Sequence, residues 1–400
     1  MQRRSILTGL AGLPAAALAA ENPEAYWKRI RDEQFYLPGW RAFLNNGSLG
    51  IAPKPVVAAV HKYLERSAAL EMEEYPRWGY ERMDAHREAL ASFVGCNAAD
   101  LALTHNATEA MGIVASGLDL KAGDEVVMTD QEHPSGRGAW LVRQQRHGIQ
   151  VRQVALPLPP KNPGQIADLL IGVIGPRTRM LSFSGITTTT GMVLPVREIC
   201  RAARAKGVLT LVDGAHMHGQ IPFRIDEMEC DFMAGSPHKW LFAPAGCGLL
   251  YLRPEMQERI WPSITTDAWP NMSLQGARFM QVGTNNRAIF EGMVAGLEFA
   301  KAIGPERIYA RIHQLARMAF DRARKTPKLE LLTPDDDRMF GSLVSFQMQP
   351  AHFKKFSALC RERRIWIMQS ERFRVSAHIH TRPEDIDLLF QTLDEARASL

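Results

Sequence analysis

The chain has 400 residues, 46% of them hydrophobic, and a net charge of +5. That length allows one large core and a second, smaller one, because single cores rarely grow past about 250 to 300 residues. The modest charge, with no Lys/Arg run and no basic face interleaved with aromatics, gives nucleic-acid binding little support and suits a small anionic ligand as well.

The first twenty residues differ from the rest. Arg3 and Arg4 precede an apolar run over residues 6–18 that ends in Ala17-Leu18-Ala19, a small-x-small cleavage pattern. This resembles a bacterial twin-arginine signal and predicts export to the periplasm with residues 1–19 removed. The run is short for a bilayer span, and no stretch of about 20 apolar residues follows it, so the remainder is expected to be soluble.

Helical patterns run through about 53–70 and 77–94. Between residues 100 and 252, β-branched apolar runs (LALTH, EVVMTD, VRQVAL, RMLSFS, VLTLVD, CDFMAG and CGLLYL) alternate with helical patterns such as SGRGAWLVRQQRHG, IADLLIGVIG and VREICRAARAKG. Such alternation predicts a mostly parallel seven-stranded sheet covered on both faces, with ligands beyond the carboxyl ends of the strands. Residues 253–284 read as irregular loop. A boundary near 285 separates a large α/β domain (20–285) from a small α+β domain (286–400), which holds helices near 287–303 and 305–325, strands at LVSFQM and RFRVSAHI, and a final helix over about 383–400.

The chemistry-bearing residues sit at strand ends. Asp213 closes the strand VLTLVD, and Lys239 lies just past the next strand, in SPHKW. Pyridoxal 5′-phosphate (PLP) needs a lysine amine for a Schiff base and a carboxylate against its pyridine nitrogen, and these two residues could fill both roles. In HNATEAMGIVASGL a strand-to-helix turn places Ala107, Thr108 and Glu109 where helix N-terminal amides receive a phosphate. Ser236 and His238 could add side-chain donors. His133, in QEHPSGRG, could stack on the pyridine ring, and Thr188 in SGITTTTGMVLP could reach ring or phosphate oxygens or serve only a turn. Arg374, with Arg372 two residues away on the same face, is the candidate for a substrate carboxylate. The HxH pairs His216/His218 and His378/His380 lack a third ligand at sensible spacing, so no metal is expected. Five scattered cysteines without a CxxC pair argue against both a zinc site and a dense disulfide framework.

These segments resemble the class V aminotransferase family of fold-type I PLP enzymes, most closely its isopenicillin N epimerase-like members, with cysteine desulfurases as cousins. FLNNGSLGIAPKPV resembles the family's N-terminal substrate loop, THNATEAM its phosphate loop, EHPS its ring-stacking histidine, TTTTGMVLPV its T-G-x-x-x-P segment, and LVDGAH and SPHKWLFAPAGCG its aspartate and lysine motifs. The resemblance implies Lys239 as the Schiff-base lysine, Asp213 on the pyridine nitrogen, His216 near the phenolic oxygen and His133 on the ring. It also implies phosphate contacts from Ala107, Thr108, Ser236 and His238, a carboxylate contact from Arg374, Asn46 near the substrate, and Thr284 reaching the phosphate of a partner subunit in a homodimer.

Thr188 stands where desulfurases carry an asparagine. The segment after Arg374, VSAHIHTRP, offers no cysteine nucleophile. The expected activity is therefore PLP chemistry at the Cα of an amino acid by transamination, epimerisation or elimination, with Lys239 moving the proton. Desulfuration or C–S lysis is the alternative, and a silent PLP-binding protein is a further one.

Overall fold

The computed structural model describes residues 22–69, 83–369 and 372–398. The signal-like segment and the start of the second expected helix lie outside the described residues. The chain opens with helix Pro23–Gln34, capped by the Asn22 side chain, followed by the short strand β1 (Ala42–Phe43) and helices Lys54–Ala68 and Asp84–Val94. The seven predicted strands then follow as β2 (Leu101–Thr104), β3 (Glu125–Thr129), β4 (Gln150–Val154), β5 (Thr178–Ser184), β6 (Leu209–Asp213), β7 (Phe232–Gly235) and β8 (Gly248–Leu252). They form one sheet in the order β2-β8-β7-β6-β5-β3-β4. β8 runs antiparallel to both its neighbours, and every other pairing is parallel. A parallel return needs a crossover of a dozen or more residues, usually a full helix. Between β7 and β8 lie only the single turn Pro237–Trp240 and a loop, with no full helix to cross the face of the sheet, and β8 comes back reversed.

β5, β6, β7 and β8 are buried along almost their whole length, as strands covered on both faces must be. Their cover comes from helices such as Ala107–Gly117 and Pro134–His147, whose Trp140 is fully buried and donates to Ser182 Oγ of β5 at 3.1 Å. The stretch read as irregular loop after β8 contains two 3-10 segments, Pro254–Met256 and Met272–Met280.

The second sheet, in the order β12-β13-β10-β9, is antiparallel throughout and combines β9 (Glu330–Leu331), β10 (Leu343–Gln347), β12 (Met368–Gln369) and β13 (Phe373–Ser376). Helices Pro350–Glu362 and Pro383–Ala398 accompany it. The buried side chains fall into two clusters, one in each unit. Phe290, Met293 and Leu297 of helix Ala288–Ile303 belong to the large core, and the change comes inside helix Pro305–Lys325, where Ile312 is in the first core and Leu315 in the second. The cause is amphipathic packing: helix Ala288–Ile303 lies on Lys54–Ala68 and Asp84–Val94 and buries its apolar face there. Conversely β1 pairs with β11 (Ile365–Trp366), and Ala42 and Leu44 join the smaller core, so the N-terminal arm ties the two units together.

That arm also braces the site. The Gly50 amide donates to the His238 carbonyl at 3.0 Å, and a Cβ at Gly50 would stand 2.2 Å from the Lys239 carbonyl oxygen. Only glycine allows the arm to lie this close to the lysine turn. Among the described residues no helix is long and apolar enough to cross a membrane.

Candidate active site

A cavity of about 390 Å³ opens at the carboxyl ends of β5, β6 and β7. Of the residues singled out in the sequence, Ala107, Thr108, His133, Thr188, Asp213, His216, Ser236, His238 and Lys239 line it. Asn46, Thr284 and Arg374 stand outside that lining.

β7 ends at Gly235, and Pro237 at the first position of the following turn has its φ preset for a helix, so one turn delivers Lys239 to the cavity. Lys239 Nζ lies 3.3 Å from His216 Nε2. The Trp240 indole N–H donates to His216 Nδ1 at 3.3 Å, which leaves the proton of a neutral imidazole on Nε2. His216 can therefore only donate to the lysine, and an amine accepts a hydrogen bond only when unprotonated. Burial acts in the same direction: it holds His216 neutral, its pKa well below the usual value, and lowers that of Lys239 to about 8 against the attraction of Asp213. Asp213 closes β6, is 7% exposed, and accepts from the Ala215 amide at 2.9 Å, so its own turn fixes the carboxylate.

The phosphate end forms at helix Ala107–Gly117. Asn106 caps it by accepting from the Glu109 amide at 2.9 Å, and the Ala107 amide donates to Ser236 Oγ at 3.1 Å, which joins the helix start to the lysine turn. His238 Nδ1 donates to the Cys247 carbonyl at 2.7 Å, turning its other nitrogen away from that bond. His133 caps helix Pro134–His147, its Nδ1 accepting from the Ser135 amide at 3.2 Å.

Arg374 lies on β13 and is 2% exposed. Its guanidinium donates to the Thr188 carbonyl at 3.0 Å, to Thr188 Oγ1 at 2.7 Å and to Ser48 Oγ at 3.1 Å. Nε has no partner, and among the described residues no carboxylate is paired with this cation; burial lowers its pKa to about 10. A buried cation faced only by neutral groups is poised for an incoming anion. The Thr188 side chain thus serves Arg374 in this conformation. Asn46 is occupied at both ends, donating to the Lys239 carbonyl at 2.7 Å and facing His380 Nε2 at 3.4 Å, and Thr284 lies exposed beside Asn285.

Sequence reasoning missed two residues. Glu132, adjacent to His133, is 4% exposed and accepts from Thr129 Oγ1, from the Ser184 amide and from Ser184 Oγ; burial raises its pKa to about 7. Ser184 pairs in register with Asp213, so Glu132 supports the strand beside that carboxylate. His105, just before the phosphate turn, also lines the cavity. Its spacing to Glu109 was the only signal available in the sequence.

An amine, a carboxylate at the end of the adjacent strand, helix N-terminal amides and a capping imidazole around one cavity form a donor set that fits PLP. Residues 42–389 match the family described as Aminotransferase class-V. The chain is 33% identical to the isopenicillin N epimerase of Streptomyces clavuligerus over 374 residues, covering 88% of this chain and 94% of that one. It is 28% identical to a cysteine desulfurase of Haloferax volcanii, covering 89% of each. A solved structure of a C-DES mutant with glycine covalently linked to its PLP cofactor superposes with a TM-score of 0.81 at 25% identity, covering 93% of this chain and all of the other. With a match across most of its length and a relative above 30% identity, the chain belongs to the class V aminotransferase family.

Proposed function

We propose that this chain moves the Cα proton of an amino-acid substrate in an epimerase-type reaction. It is a PLP-dependent enzyme acting on amino acids, as its family membership implies. When bound, PLP supplies an electron sink that stabilises negative charge at Cα. Lys239 would contribute the amine that holds the cofactor and, when free, a base whose lowered pKa suits proton transfer near neutrality. Asp213 would hold positive charge on the ring nitrogen, the helix turn opened by Ala107 and Thr108 would receive the phosphate, and His216 would donate its Nε2 proton to whatever acceptor replaces the free amine.

The 33% identity to an isopenicillin N epimerase supports epimerisation, and the observation that sets desulfuration aside is the lining of the cavity, which includes no cysteine. All five cysteines are described; burial pushes the thiols of Cys96, Cys200 and Cys360 up to about 12 and raises those of Cys230 and Cys247 as well. None supplies the accessible thiolate that desulfuration needs. The test is incubation of the loaded enzyme with single amino acids in deuterated water. Solvent deuterium at Cα and loss of optical purity are expected, and release of sulfur from cysteine as the main reaction would overturn the reading.

Arg374 is the proposed carboxylate anchor. Arg374→Gln should raise KM for the amino acid about 100-fold, the scale of losing one partner of a buried charge pair. Exchange at the corresponding decarboxylated amine should change little; an equal loss on both compounds would remove Arg374 from this role. We also propose export by a twin-arginine route and a homodimer with Thr284 near its interface. N-terminal sequencing of periplasmic material is expected to start after Ala19, and light scattering is expected to give twice the chain mass.

A further inference from the structure

His105 carries a bonding pattern that fixes its charge. Its Nδ1 lies 2.8 Å from Glu109 Oε2, which already accepts from the His105 backbone amide at 2.6 Å. Its Nε2 lies 3.0 Å from Asn285 Oδ1, which already accepts from the Asn286 amide at 2.7 Å. Both partners are identified as acceptors by those second bonds, and a carboxamide turned the other way would set N–H against N–H. Each ring nitrogen must therefore donate, and only the imidazolium does so at both. From the elements packed around it, His105 meets Glu109 on its own turn, Asn285 on the loop before helix Ala288–Ile303, and the Phe290 ring at 6.5 Å.

We propose that His105 is a positioning residue, a cationic clasp that pins the loop carrying Thr284 and Asn285 to the turn that receives the cofactor phosphate. This rests on the reading of the cavity as the PLP site. The clasp joins residues separated by 180 positions in the chain, so it orders the loop at that end of the cavity and offsets the negative charge of the Glu109 carboxylate, which would otherwise repel a phosphate there. The hydrogen bond that His105 donates to Glu109 raises the His105 pKa to about 9 from a usual 6.5. Burial alone would raise the Glu109 carboxyl, but the bonds from His105 outweigh it and lower its pKa. Because the folded pKa of His105 is raised, the clasp contributes fully below about 6.5 and is lost as pH climbs through about 9.

The test compares PLP with pyridoxal, which lacks the phosphate, by equilibrium titration of wild-type protein, His105→Gln and His105→Arg. For His105→Gln the PLP dissociation constant is expected to rise about tenfold, the scale of a lost charge-assisted hydrogen bond, with pyridoxal affinity unchanged. His105→Arg keeps a permanent charge and donors for both partners. It should restore PLP affinity and remove the extra weakening that wild type shows between pH 8 and about 10. In ¹⁵N-histidine spectra at pH 8 the His105 ring should show two protonated nitrogens. A neutral ring at that pH, or a His105→Gln protein that binds PLP as wild type does, would overturn the clasp. Wild-type protein that fails to bind PLP would instead overturn the cofactor reading.

Discussion

Replacing Lys239 with alanine is expected to abolish the borohydride-reducible chromophore and to lower turnover by about 10⁴-fold or more, the scale seen when a covalent catalytic group is removed. The side chain does two tasks that no neighbour can assume. It is the amine lining the carboxyl ends of β6 and β7, and His216, held in its Nε2–H form by Trp240, cannot supply a second base at that nitrogen. Burial that lowers the lysine pKa to about 8 also sets a pH dependence. Attachment of PLP to the apo-protein should quicken as pH rises through about 8 and then level, rather than climbing on toward the 10.5 of a solvated lysine. A reducible adduct persisting in Lys239→Ala would move the assignment to another amine, and peptide mapping of the reduced wild-type protein would show which.

What the sequence revealed, and what it hid, follows from how far each signal extends along the chain. The strands were legible because a doubly covered parallel sheet demands short, continuous β-branched runs, and Asp213 and Lys239 were legible because each sits at the end of such a run. Pairings that join distant segments were not. Thr188 and Arg374 lie 186 positions apart, and nothing local tells a threonine in a TTTT turn that it will accept from a buried guanidinium. The same holds for His105 and Asn285. Glu132 was passed over because a glutamate beside a histidine reads as a solvated loop residue until its burial is known. The two cores meet inside helix Pro305–Lys325, a feature the sequence does not display locally, because packing assigns helix Ala288–Ile303 to the core that its apolar face meets.

Asp213→Asn separates charge from shape at the other end of the cofactor. The substitution preserves volume, and the carboxamide oxygen can still accept from the Ala215 amide, so the turn after β6 should hold and the melting temperature should change little. What is lost is the negative charge on a buried strand end. Breaking a buried charge pair costs about 3–5 kcal/mol, and if that loss falls on the proton-transfer step it corresponds to a loss of about 10²- to 10⁴-fold in turnover. Substrate affinity should be nearly spared, because Arg374 approaches from a different sheet. Near-visible absorption of the bound cofactor reports the ring environment directly and should shift in the variant even where turnover is too slow to follow. Asp213 also contributes to the raised pKa of Glu132, so the variant should let Glu132 ionise at lower pH, a change that infrared difference spectra can resolve. If Asp213→Asn retained full turnover and an unshifted spectrum, ring protonation would have to be maintained by another group. Glu132, whose carboxylate is held by Thr129 and Ser184 beside the same strand end, would then be the residue to substitute next.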